Sequence, residues 1–252
     1  MLPNSSSKSS RIVRLSAVIG YPVWAALSAF LMGPLIAYMA FYGLFWLMAV
    51  PPPVVEDSAL LSLIMMAAMY MVGLMVLLTE PLTVRLLGRS DIISMLGLQR
   101  WPRLSDLVRG IVGWLAYFGL TLTALYVVDQ LVPGYNGDQS QDIGFENMSA
   151  RWEDICAFIA LVVIAPIVEE IIFRGYLYSN LRRHITFGWA AIITSALFGF
   201  VHQQWNVAID VFILSVFACY LREKTGAIWG GVVIHMLKNA VAYYFLFVYS
   251  AL

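Results

Sequence analysis

Seven long apolar runs succeed one another between Leu15 and Leu252, and no other feature constrains the fold as strongly. They cover 15–50, 58–78, 108–128, 155–178, 189–202, 207–221 and 227–252. A helix crosses the hydrocarbon of a bilayer with about 20 mainly apolar residues, so the pattern predicts an all-α, polytopic integral membrane protein of about seven transmembrane helices. The 189–202 and 207–221 runs fall short of that length. They are expected to end inside the protein body, at an intramembrane polar cavity. The first run is long enough for one strongly tilted helix or for two short ones broken near Gly33-Pro34. Only 12% of the residues are charged, about half of what a water-soluble surface carries.

Charge placement favours a single crossing of the first run. Lys8, Arg11 and Arg14 precede the first run, and Arg85, Arg89, Arg100, Arg103 and Arg109 lie between the second and third. Arg182 and Arg183 follow the fourth, Arg222 and Lys224 the sixth. All these clusters fall on one side if the first run crosses once, while Glu56, Asp57 and the acid-rich 129–154 loop fall on the other. Basic residues collect on the cytoplasmic face. The expected topology is therefore a multi-pass protein of the cell inner or plasma membrane, N-terminus cytoplasmic and C-terminus outside. The organisation reads as a cytoplasmic tail over 1–14, an N-terminal transmembrane region over 15–154 and a transmembrane core over 155–252. Within the N-terminal region, 81–101 mixes leucine and isoleucine with arginine and is expected to lie along the inner interface.

The net charge is zero, so no basic field recruits nucleic acid. Cys156 and Cys219 lie in apolar runs and read as helix-packing residues. Ala191, Ser195 and Gly199 recur every fourth residue and mark a close helix contact.

Against this background three polar groups stand out: Glu169, Glu170 and Arg174; His202, with Phe198 before it; and His235 with Asn239. Ionisable groups at membrane depth are costly and face a protein interior or an aqueous cavity, with partners. By helix rise, Glu170 lies about 20 Å from the turn at Arg183, His202 about 22 Å from Phe187 and His235 about 16 Å from Lys224. Three different helices thus bring polar groups to comparable depths. Glu170 and Arg174, four apart, suit an ion pair, while Glu169 points about 100° away and is freer to face a cavity. The inventory suits peptide-bond hydrolysis. A carboxylate takes a proton from water, an imidazole orients that water, and an imidazole and a carboxamide donate to the developing oxyanion. No serine or cysteine stands out as a nucleophile, so activated water is the economical reading.

The three groups, EEIIFRG (169–175), FGFVH (198–202) and HMLKN (235–239), resemble the ordered signatures of the CPBP family of intramembrane proteases. That family includes the type II CAAX prenyl endopeptidases and the bacterial Abi proteins. The resemblance covers about 155–249. It implies a helical membrane endopeptidase in which Glu169 and His202 activate the water and His235 and Asn239 stabilise the oxyanion, with Glu170, Arg174 and Phe198 in support. It implies a membrane-associated peptide or protein substrate, CAAX-type C-terminal processing among the options, with the need for prenylation left open. A non-catalytic scaffold or bacteriocin-immunity protein is the alternative function.

No cofactor is favoured. Zinc held by Glu169, His202 and His235 is the alternative, but no HExxH motif enforces it. Lys238, inside the third motif, either reaches the cavity or extends its head toward polar surroundings. Asp210 reads as a structural or loop-facing residue. The aromatic 239–252 stretch reads as mostly lipid-facing packing.

Overall fold

The computed structural model describes residues 5–53, 59–78, 89–135 and 151–249. Every regular element among them is helical. In chain order these are α1 (Ser5–Leu47), α2 (Ala59–Leu78), α3 (Arg89–Met95) and α4 (Leu104–Leu131). Helix α5 follows as an unbroken succession from Arg151–Phe158 to Ser179–Arg182, then α6 (Phe187–Phe200), α7 (Trp205–Thr225) and α8, which is Trp229–Tyr243 continued by Tyr244–Tyr249. Six of these helices are long and apolar enough to cross a membrane. The seventh expected span, α6, has 14 residues, about 21 Å of helix against a hydrocarbon core of about 30 Å. The chain is a multi-pass membrane protein, with six candidate full crossings and one short apolar helix among the described residues. Parts of the expected tail (1–4), of the 81–101 segment (81–88) and of the 129–154 loop (136–150) lie outside the described residues, as do Glu56, Asp57 and Arg85.

Helix α1 runs unbroken through Pro22 and Pro34, so the first apolar run forms one candidate crossing. Its 28-residue apolar portion, Gly20–Leu47, is about 42 Å long, longer than a hydrocarbon core of about 30 Å. Small residues let α1 and α2 touch backbone to backbone. A Cβ on Gly33 would lie 2.5 Å from the carbonyl oxygen of Met69, and one on Gly73 would lie 2.6 Å from that of Ala29. Small residues are what allow such approach in a bilayer, where there is no hydrophobic force between helices. Gly33→Val is therefore expected to separate the pair and cost about 1–3 kcal/mol. The loss should appear as a lower unfolding midpoint in nanodiscs. Gly43→Val, where a Cβ meets nothing within 4 Å, is the matched control.

Helix α5 alternates α-helical turns with wider π-helical turns at Ile159–Ile164 and Ile171–Tyr178. Pro166 has no N–H for the turn that precedes it, and that is where the first wide turn lies. The second begins directly after Glu170. Such wide turns recur at functional sites because they re-aim side chains. Helices α6 and α7 form a hairpin through residues 201–204, with Gln203 left-handed at φ 57°. Gly199 is where they touch, since a Cβ there would lie 2.8 Å from the Ala208 carbonyl.

Met95 and Leu96, at the end of α3, are buried, and the Leu96 carbonyl lies where a Cβ on Gly175 would approach to 2.8 Å. The glycine of EEIIFRG is therefore the seat for this turn. Arg222 donates to the carbonyls of Met95, at 2.8 Å, and of Gly226, the left-handed residue that ends α7. Arg182 pairs with Glu223 at 3.0 Å. Arg100 forms an ion pair with Asp106 at 2.5 Å, and that carboxylate raises the guanidinium pKa above its ordinary value. The basic ends of α5 and α7 and the connection before α4 thus meet at one end of the bundle.

Candidate active site

The site grows from α5. Glu170 and Arg174 are completely buried and their charged atoms stand 2.8 Å apart, one helical turn between them. The Arg174 guanidinium carbon lies 4.4 Å above the centroid of the Phe198 ring, which adds a cation–π contact. The pair therefore neutralises a charge that the bilayer would otherwise expel. His235 comes from α8 and stands between the two glutamates. Its Nδ1 is 3.3 Å from Glu170 Oε1 and its Nε2 is 3.7 Å from Glu169 Oε2. Gly231, one turn earlier on α8, makes room for this, because a Cβ there would lie 2.6 Å from Glu170 Oε2.

His202 sits in the turn just beyond α6, not on the helix itself, so the shortness of α6 leaves this imidazole at the level of the α5 and α8 residues. Its Nδ1 is 2.7 Å from the Phe198 carbonyl oxygen. A carbonyl only accepts, so Nδ1 carries the proton and Nε2 keeps its lone pair. Phe198 meets both imidazoles edge to face, at 4.9 Å from His202 and 5.6 Å from His235. Asn239 donates one amide hydrogen to the Leu161 carbonyl at 2.7 Å, at the first wide turn of α5. A second hydrogen remains on the same nitrogen.

Glu169, His202, His235 and Asn239 all line a cavity of about 400 Å³. Glu170, Arg174 and Phe198 stand behind that wall. The rest of the lining is mainly apolar and includes Met66, Met69, Ile172, Leu246 and Phe247. The C-terminal aromatic stretch divides accordingly: Phe245 and Tyr249 are exposed toward lipid, whereas Tyr243 and Phe247 face the cavity.

Two further polar side chains reach this lining. Lys238 lines the cavity, with Nζ 3.6 Å from Asp210 Oδ2 on α7. Asp210 also accepts from the Tyr117 hydroxyl on α4. The lysine is therefore charge-balanced by Asp210, which has a structural role here. Tyr70, on α2, lines the cavity and donates its hydroxyl to Glu169 Oε1 at 2.5 Å. Sequence reasoning missed Tyr70. It lies in an ordinary apolar span, 99 positions from its partner, and periodicity within one helix carries no signal of such a contact.

The donor set does not suit a metal. Among the described residues no group of three or more His, Cys, Asp or Glu side chains is placed to hold one.

Residues 151–241 match the family model of the type II CAAX prenyl endopeptidase Rce1-like proteins. The chain is also similar to "Putative membrane peptidase YdiL" of Bacillus subtilis (strain 168), 29% identical over 98 residues. That match covers 37% of this chain and 40% of the relative. No solved structure matches the chain significantly. The matched segment runs from the start of α5 into α8 and contains the buried Glu170–Arg174 pair, both imidazoles and Asn239. Through that segment the chain is similar to the type II CAAX prenyl endopeptidase Rce1-like proteins.

Proposed function

We propose that the protein is an intramembrane endopeptidase that hydrolyses a peptide bond with water activated by Glu169 and His202. The observation that carries this reading is the convergence of Glu169, His202, His235 and Asn239 on one cavity from three separate parts of the chain. Glu169 takes a proton from water as the water oxygen attacks the carbonyl carbon. His202 orients the same water through its unprotonated Nε2. The charge that develops on the carbonyl oxygen is met by the second amide hydrogen of Asn239, and by His235 in the form that carries a proton on Nε2. Glu169 then returns its proton to the departing amine nitrogen as the C–N bond breaks, which restores the carboxylate. No step needs a metal.

The mixed lining fits a membrane-associated peptide or protein, with apolar side chains along the wall and hydrogen-bonding groups at the reacting centre. CAAX-type C-terminal processing is the specific form proposed. The cavity is taken as the intramembrane polar site, and its opening is assigned toward the cytoplasmic half. The N-terminus is cytoplasmic and the C-terminus outside. The basic ends of α5 and α7, joined by Arg182 and Glu223, support that orientation.

The test is cleavage by the full chain in lipid nanodiscs, with prenylated and unprenylated peptides compared in parallel. Asn239→Ala is expected to lower kcat by about 10²–10³-fold, the usual effect of losing an oxyanion donor. Turnover by the native chain that Asn239→Ala leaves intact would refute this assignment of the oxyanion site. Absence of turnover on every peptide would favour a scaffold or immunity role.

A further inference from the structure

The matched family segment begins at residue 151, yet one of the closest contacts to Glu169 comes from α2. Tyr70 donates its hydroxyl to Glu169 Oε1 at 2.5 Å, and both side chains line the cavity. The terminal torsion of a glutamate is broad and roughly two-fold, so packing alone leaves the carboxylate plane loosely set. A hydrogen bond to one oxygen fixes it. With Oε1 occupied by the tyrosine, Oε2 is the oxygen that faces His235, at 3.7 Å, and the oxygen left to accept from a water.

The placement of Tyr70 is built into the fold. Gly73 lies one turn further along α2, and its contact with Ala29, like that of Gly33 with Met69, locks α2 against α1 with no side chain between them. Ala29, Phe30 and Pro34 of α1 join Tyr70 in the cavity wall. The N-terminal helix pair thus forms one side of the site and carries a polar group aimed at the base.

We propose that Tyr70 is a positioning residue for Glu169, so that the site is completed by α1 and α2 and not contained in the family segment alone. The inference rests on the hydrolytic reading above, and the experiment separates the two. Tyr70→Phe and Met71→Leu are compared with the native chain in nanodiscs; Met71 neighbours Tyr70 but is exposed toward lipid. Loss of a hydrogen bond to a charged group predicts a fall in kcat of about 10–100-fold for Tyr70→Phe. KM and the unfolding midpoint should stay close to native, and Met71→Leu should be native throughout.

A second measurement does not depend on turnover. The carboxyl stretching band of Glu169, identified by its disappearance in Glu169→Gln, should shift in the infrared spectrum of Tyr70→Phe and stay in place in Met71→Leu. Native kcat in Tyr70→Phe overturns the proposal. So does a rise in KM with a lowered unfolding midpoint at unchanged kcat, which is the signature of a wall residue. If the native chain cleaves no peptide, the hydrolytic reading fails on that count, and an unshifted band then overturns the positioning contact as well.

Discussion

Glu169→Gln is expected to lower kcat by about 10²–10⁴-fold, the contribution of a positioned general base, while the protein stays folded. The amide is nearly isosteric with the carboxylate, and its oxygen still accepts the Tyr70 hydroxyl now bonded to Oε1. What it loses is the capacity to take a proton from water. Stability should change little, because Glu169 is not the partner of the buried guanidinium; Glu170 is. The pairing of lost turnover with a near-native unfolding midpoint in nanodiscs is the readout. Native-like kcat in this variant would remove Glu169 as the base.

Arg174→Leu should have the opposite signature, a loss of folding before any question of chemistry. Arg174 and Glu170 are both fully buried, 2.8 Å apart. Removing one member of such a pair strands the other charge and typically costs about 3–5 kcal/mol. Replacing both by apolar residues is often nearly neutral, so Glu170→Leu/Arg174→Leu should recover most of the loss. A double-mutant cycle on unfolding midpoints measures this coupling. The recovered protein should still turn over poorly, because His235 Nδ1 would have lost the carboxylate that stands 3.3 Å from it. If the single and double variants are equally stable, the ion pair is not what holds α5.

These two glutamates, adjacent in sequence, therefore separate into different physical roles. The separation follows from the helix, which turns successive side chains by about 100°. One points to Arg174 within its own helix, a contact that spacing makes legible. The other points to a cavity whose opposite wall comes from α2 and α8, which spacing within α5 cannot describe.

Helix count shows the same division. Length and hydropathy locate all seven apolar helices to within several residues at most of their ends. The 189–202 run ends close to where α6 does, at Phe200; what it leaves open is that His202 lies in the turn beyond the helix. That stop sets the level of His202. The inner 81–101 segment reads by composition as interfacial, and within it Met95 and Leu96 are buried against the bundle. Gly175 leaves a gap on α5 that the Leu96 carbonyl fills, and no property of 81–101 itself reveals the seat.

The sequence by itself determined an all-helical membrane protein, the three polar motifs on separate apolar segments, and the pairing of Glu170 with Arg174. Each is a local property, set by run length or by spacing along one helix. Only the tertiary structure decided that His235 stands between both glutamates, that Asp210 balances Lys238, and that Tyr70 reaches Glu169 from α2. Those contacts join helix faces whose mutual rotation and depth are chosen by packing of small residues such as Gly33, Gly73 and Gly231 across the bundle, and no single helix encodes that choice.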